Sequence, residues 1–234
     1  MKLLALDTSS VACSVALQSD AAITERHEER PREHTNILLP MIREVCKETD
    51  VAIADLDALV LGNGPGSFIG MRIAASVAQG LAYAAGLRIV PVSSLAAVAA
   101  EVFATHEAQE VVVAQDAHMH EVYLGVYRRD AAGLPQAIAP ERLCARQAIA
   151  EIAADIAGRR VAAGFGWQRY PELLALNRDR FDSIAEAHYP RARYLLDPGA
   201  AGLNSAEALD PQQIAPAYLR QRVAEKPVSS TRNV

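Results

Sequence analysis

The segment ALVLGNGPGSFIGMRIAASVAQGLAYAAG, from Ala58 to Gly86, constrains the fold more than any other. An apolar, strand-like run meets Gly62, Gly64 and Gly66 without a break, and Ser67 then opens a long apolar stretch that ends at Gly86. Serine ahead of a periodic apolar run is a helix N-cap, and glycine behind it is a helix stop. The expected unit is therefore strand, glycine loop and long helix, in an α/β layer architecture. Within the helix Gly70, Ala74 and Ala78 recur every four residues and make a smooth stripe against which another helix can lie close. The loop has two readings. It is a phosphate cradle if unpaired N–H groups and the helix dipole point at an anion, or only a tight junction in which glycine permits positive φ and close packing. It is not a Walker A motif, since Ser67 and Phe68 stand where Lys and Ser or Thr would follow the last glycine. Nor is it the dinucleotide fingerprint, whose glycine spacing differs. Spacing alone leaves both readings open.

The rest of the chain fits the same architecture. LLAL and SVAL read as strands around a polar turn at Thr8 to Ser10, and AAITERHEE alternates as an edge strand does. HTNILLPMIREVCKET sets Ile37, Leu38, Met41, Ile42 and Val45 at helical spacing, with Pro40 as a kink or first-turn residue. RIVPV is a strand and SSLAAVAAEVFATH a helix opened by Ser93 or Ser94. The plan then begins again. LALDTSSVACSVAL aligns with VAQDAHMHEVYLGV when Asp7 is placed on Asp116, and LVLGNG aligns with AAGFG when Gly62 and Gly64 are placed on Gly164 and Gly166. Two features that repeat in order at nearly the same offset indicate two copies of one unit. DAAGLPQAIAPERL reads as loop with one more strand, ARQAIAEIAADIAG as helix, RRVAAGFG as strand, and Trp167 to Asp210 as short helices.

Several function classes are excluded. A net charge of −5 argues against gripping nucleic acid alone, because such binding needs clustered Lys and Arg. Cys13, Cys46 and Cys144 are odd in number and widely spaced, so neither a disulfide framework nor a zinc site is expected. The four-residue apolar run before Asp7 is too short for a signal peptide, and Ile69 to Val92 is interrupted by Arg72, Gln79 and Arg88, so no membrane span is expected and the cytoplasm is the expected location. Asp7, where a strand meets a polar turn, either holds a metal, as in actin-like and sugar-kinase-like ATPases, or caps its own turn. His118 and His120 read as solvated imidazoles on a turn rather than ligands, and no H-E-x-x-H or G-x-S-x-G is present.

LALDTSS, REHTNILLP, LGNGPGSFIGMRIAASVAQGLA, PVSSLAAVA, DAHMHEVYLGVY and PAYLR, in order from Lys2 to about Arg220, resemble the TsaB (YeaZ) family, the bacterial partner subunit of the tRNA threonylcarbamoyladenosine machinery. The resemblance implies a duplicated actin-like, hexokinase-like fold (ASKHA, ribonuclease H-like) in two subdomains. They are expected at residues 1–104 and 105–220, followed by a flexible tail at 221–234. It also implies kinship with the catalytic subunit TsaD, which binds ATP and a metal and transfers a threonylcarbamoyl group to the adenosine beside the anticodon. TsaD carries a histidine pair four apart on the helix after the strand that RIVPV resembles; the matching positions here are about Ser94 and Val98, and neither replaces an imidazole. TsaD's second glycine-rich turn corresponds here to QDAHMH, which has no glycine. Both differences move the Gly62–Gly66 loop toward the tight junction.

A non-catalytic subunit is therefore expected, without cofactor or metal, in a heterodimer with TsaD and a ternary complex with TsaE. As an isolated chain it is expected to form a homodimer, and it meets tRNA only through the complex and no membrane. The resemblance implies that the helices at about His34–Thr49 and Ser67–Ala85 form the interface, with Leu38, Met41, Ile42, Val45, Gly70, Ala74 and Ala78 as contact residues. On that expectation a charged residue in place of Ala74 or Ala78 breaks binding and spares the fold. Asp7, Gly64, Gly66 and Ser67 are the candidate vestigial nucleotide site. The alternative is an ATP-dependent phosphotransferase using Asp7 and the Gly62–Gly66 loop. A metalloprotease, an old label of this superfamily, is disfavoured by the missing histidine pair.

Overall fold

The computed structural model describes residues 1–145 and 158–220. The chain opens with β1 (Lys2–Asp7), β2 (Ala12–Ser19), β3 (Ala22–Glu29) and α1 (His34–Thr49), and continues with β4 (Ala58–Gly62), α2 (Phe68–Ala85) and β5 (Ile89–Val92). Helix α3 (Ser94–Thr105) leads into β6 (Glu110–Asp116), β7 (Glu121–Arg129), β8 (Pro135–Ala137) and β9 (Arg142–Ala145). β10 (Arg160–Ala163), α4 (Phe165–Arg169), α5 (Pro171–Asn177), β11 (Ser183–Ile184) and α6 (Leu196–Asn204) complete it. The expected helix ARQAIAEIAADIAG and the tail lie almost wholly or wholly outside the described residues.

Two sheets repeat one plan. In the first the order is β3-β2-β1-β4-β5, and in the second β8-β7-β6-β10-β11, with β9 also paired to β7. In each, the strand ending in aspartate sits in the middle, antiparallel to the next strand and parallel to the one before the glycines. The repeat read from Asp7/Asp116 and Gly62/Gly164 is thus a duplication of topology, and the chain has the two-subdomain ASKHA-like α/β fold.

The period of two along each strand divides the core into layers. Leu4, Leu6, Leu59 and Leu61 face α1 and α2, whereas Leu3, Ala5, Ala58 and Val60 face the opposite side. In the second sheet Val111 and Val113 face α3, and Val112 and Ala114 face Trp167 and Leu173 of α4 and α5. The helices after the outer strands are exchanged. α3 follows β5 but packs mainly on the second sheet, while α6 follows β11 and packs on the first, with Leu196 in its core and Gly199 and Gly202 lying on Val60 and Val90. Each sheet thus borrows a helix from the other half of the chain.

The helix ends follow the sequence closely. Ser67 caps α2 by accepting from Gly70 N, and Gly86 stops it at φ 68°. Ser93 caps α3, accepting from Leu95 N and Ala96 N. α2 is long and apolar enough to cross a membrane, but one of its faces lies on the first sheet.

Candidate functional site

Asp7 is 1% exposed at the tip of β1, and each of its carboxylate oxygens is taken. Oδ1 accepts from Ser9 N and Ser9 Oγ, both at 2.8 Å, and Oδ2 accepts from Ser94 Oγ at 2.6 Å. Burial pushes the carboxyl up from 3.8 to about 6, and the hydrogen bonds from Ser94 and Ser9 only partly oppose this. Asp7 does cap its own turn, but its second oxygen reaches α3 as well.

The glycine loop closes over this carboxylate. A methyl group at Gly62 would overlap the Asp7 carboxylate, one at Gly66 would overlap the Ser9 carbonyl, and one at Gly70 would overlap the Thr8 carbonyl. Several of the loop's polar groups bond to the same neighbours. Gly64 N donates to Ser94 Oγ at 3.0 Å, Ser94 N donates back to Gly64 O at 2.8 Å, and Ser67 N donates to Ser9 O at 2.6 Å. Thr8 Oγ1 donates to Gly70 O at 2.7 Å. Gly64, at φ 86°, is the position that needs glycine for its backbone. The structure thus brings Asp7, Gly64, Gly66 and Ser67 together, but as a packed junction between the β1–β2 turn and α2.

These residues do not fit a nucleotide and its metal. An anion at the loop needs free N–H donors, and those of Gly64 and Ser67 already have partners. A metal at Asp7 needs a free carboxylate oxygen, and both are occupied beneath Gly62. Ser94 is fully buried on Asp7, and Val98 is fully buried in the α3 core. No group of three His, Cys, Asp or Glu able to hold a metal occurs among the described residues.

The matching turn of the second half is open. Asp116 Oδ1 accepts from His118 N and Tyr170 Oη, both at 2.8 Å, and Arg169 Nε lies 3.8 Å from Oδ2. His118, Met119 and His120 project from the turn, with the His118 side chain 83% exposed. They stand on a turn and not on a strand, which agrees with solvated imidazoles.

The seven residues expected at an interface are all buried within the chain itself. Leu38, Met41, Ile42 and Val45 of α1 are no more than 3% exposed and pack in the core of the first sheet. Gly70, Ala74 and Ala78 of α2 are buried, the last two in that same core. Within the chain, Gly70 lets α2 approach the Thr8 carbonyl, and Ala74 and Ala78 pack in the core of the first sheet. What the two helices turn outward is a different apolar set: Ile69 is 70% exposed, Tyr83 71% and Leu39 42%, with Ile73 and Val77 half-buried between. Sequence reasoning missed these residues, although their signal is present. α2 is apolar on more than the stripe that one sheet face can cover, and such excess marks an exposed apolar patch.

Residues 26–227 match the model of the family TsaD: tRNA N6-adenosine threonylcarbamoyltransferase, a stretch that starts in β3 and leaves out Asp7. The tRNA threonylcarbamoyladenosine biosynthesis protein TsaB of Escherichia coli K12 is 36% identical over 231 residues, covering 97% of each chain. TsaB of Haemophilus influenzae is 37% identical over 234 residues, covering 97% of this chain and 96% of that protein. A crystal structure from Pseudomonas aeruginosa, described as an uncharacterized protein with similarity to peptidase YEAZ, superposes with a TM-score of 0.84 at 34% identity over 94% of this chain and 99% of that one.

Proposed function

The chain belongs to the TsaB (YeaZ) family, and from that premise we propose that it is a non-catalytic scaffold subunit of the machinery that makes threonylcarbamoyladenosine in tRNA. It binds and stabilises the catalytic subunit TsaD and supports recruitment of the ATPase TsaE. It works in the cytoplasm and meets tRNA only as part of the complex. The observation that carries this reading is the closed junction at Asp7, where the N–H groups of Gly64 and Ser67 donate to Ser94 and Ser9 and the Asp7 carboxylate is covered.

A subunit without chemistry acts through its surface. The outward side chains of α1 and α2, Leu39, Ile69 and Tyr83, are the contact residues of the TsaD interface, and the buried stripe of Ala74 and Ala78 supports them from beneath. TsaD is built on a related fold, so a patch that fits its equivalent helices also fits a second copy of this chain, which is the basis for a homodimer when TsaD is absent.

The test is co-purification with TsaD followed by a tRNA modification assay with and without this chain. A stable complex, and modification that depends on the chain, are expected. Micromolar binding of Mg-ATP with turnover by the isolated chain would instead make it a phosphotransferase using Asp7 and the Gly62–Gly66 loop.

A further inference from the structure

The turn joining β6 to β7 holds three successive non-glycine residues in the left-handed region, His118 at φ 60°, Met119 at 52° and His120 at 62°. Each carries the steric cost of a Cβ set against its own carbonyl, so the turn persists only where its surroundings determine it. Two devices are local: Asp116 Oδ1 accepts from His118 N, and Ala117 N and Glu121 N close the hairpin on Glu121 O and His118 O.

The third device comes from the far end of the chain. Arg220, with a side chain only 15% exposed, donates through Nη2 to Ala117 O at 2.9 Å and to His118 O at 3.4 Å. The same nitrogen pairs with Glu121 Oε2 at 2.7 Å, while Nη1 lies 3.3 Å from Met119 Sδ. One guanidinium thus touches four of the five residues from Ala117 to Glu121.

The segment leading to Arg220 is anchored on the first half. Gln79 Nε2 of α2 donates to Pro211 O at 2.8 Å, and Ile214 is buried in the α1/α2 core. Asn63, inside the glycine loop, binds the strap twice, through Nδ2 to Ala215 O and by accepting from Ala217 N, both at 3.0 Å. Arg72 of α2 donates from Nε to Tyr218 Oη at 2.8 Å and stacks over Phe68, which packs on the Tyr218 ring.

We infer that residues 211–220 are a latch between the halves: the strap is fastened along α2 and the glycine loop, and Arg220 is the pin that holds the 117–121 turn in its strained conformation. Withdrawal of Arg220 lets the turn relax, so a disturbance at the N-terminal end of α2 reaches the second half through Tyr218 and Arg220.

Hydrogen exchange on the full-length chain, followed by mass spectrometry, tests this. Arg220→Ala is expected to speed exchange of a peptide spanning 117–121 by roughly ten-fold and to leave β4 and α3 unchanged. Arg72→Ala, which loosens the strap at Tyr218, is expected to speed the same peptide by roughly two- to three-fold. His120→Gly, which accepts left-handed backbone without a steric cost, is expected to raise the melting temperature by about 2–4 °C. No change at 117–121 in the two arginine variants, an equal rise throughout the chain, or a lower melting temperature for His120→Gly would overturn the latch. Should Arg220→Ala not fold, Glu121→Gln removes the ion pair from the other side and is read in the same way.

Discussion

Asp7 ends β1 and Asp116 ends β6, each at the tip of the middle strand of its sheet and beside a parallel strand that runs into glycines. Around Asp7 the glycines come down on the carboxylate, Ser94 reaches it from α3, and water is shut out. Around Asp116 the glycines come down on the Ala114 carbonyl instead, two residues earlier, and the carboxylate is left partly exposed among His118, Arg169 and Tyr170. The outer layers differ as well. The first glycine loop starts an 18-residue helix with an apolar outer face, and the second starts α4 and α5, which are 5 and 7 residues long. A shared topology therefore does not share out roles. One copy is a sealed joint beneath a long helix with an exposed apolar face, and the other is an exposed turn on which Arg220 lies.

The sharpest way to break this comparison is to put a charge where α2 meets its sheet. Ala74→Arg buries an unpaired cation in the first core and is expected to cost about 4 kcal/mol or more, seen as loss of the cooperative urea transition. Ile69→Glu with Tyr83→Glu, on the outward face of the same helix, is expected to change stability by less than about 1 kcal/mol while removing TsaD binding. Binding retained by that double variant would remove the outer face from the interface.

Gly62→Ala comes next. Its methyl group meets the Asp7 carboxylate, and a loss of about 3 kcal/mol is expected in the same measurement. An unchanged midpoint would mean that the loop is free to lift off Asp7, as a nucleotide site requires.

Asp7→Asn gives an effect of comparable size with the opposite sign. Burial raises the folded carboxyl from 3.8 to about 6, so its contribution to stability is fully present below pH 3.8 and is lost as pH rises through 6. The variant has no such loss. Its stability relative to the wild type is expected to grow between pH 4 and 7 by up to about 3 kcal/mol, read from urea transitions at several pH values. The smallest effect is at Gly80, where an added methyl group meets nothing within 4 Å. Gly80→Ala is expected to stabilise α2 by about 0.5–1 kcal/mol, in contrast to Gly62→Ala eighteen positions earlier.

Much of this was legible in the residues. Ser67, Gly86 and Ser93 announce the helix ends because capping is local chemistry. Asp7/Asp116 and Gly62/Gly164 announce the duplication because both copies need a strand end and a glycine at the same place. The direction of the small-residue stripe was not legible. Gly70, Ala74 and Ala78 would serve a partner helix or the protein's own sheet equally well in the sequence, and their packing depends on partners as distant as the Thr8 carbonyl, 62 residues from Gly70. The exchange of α3 and α6 between the sheets was equally hidden, since apolar spacing tells which face of a helix is buried and not which sheet buries it. Arg220 is more distant still. Its partners lie at 117–121, about a hundred residues back, and a lone arginine near the end of a chain has no local pattern that points to them.

We propose that this chain contributes a surface and no chemistry to the tRNA modification. This is tested most directly by tRNA threonylcarbamoylation reconstituted with TsaD, TsaE and either Asp7→Asn or the Ile69→Glu, Tyr83→Glu double variant of this chain. Wild-type modification with Asp7→Asn and loss of modification with the surface variant are expected. Loss with Asp7→Asn while the complex with TsaD still forms, together with full modification by the surface variant, would contradict it.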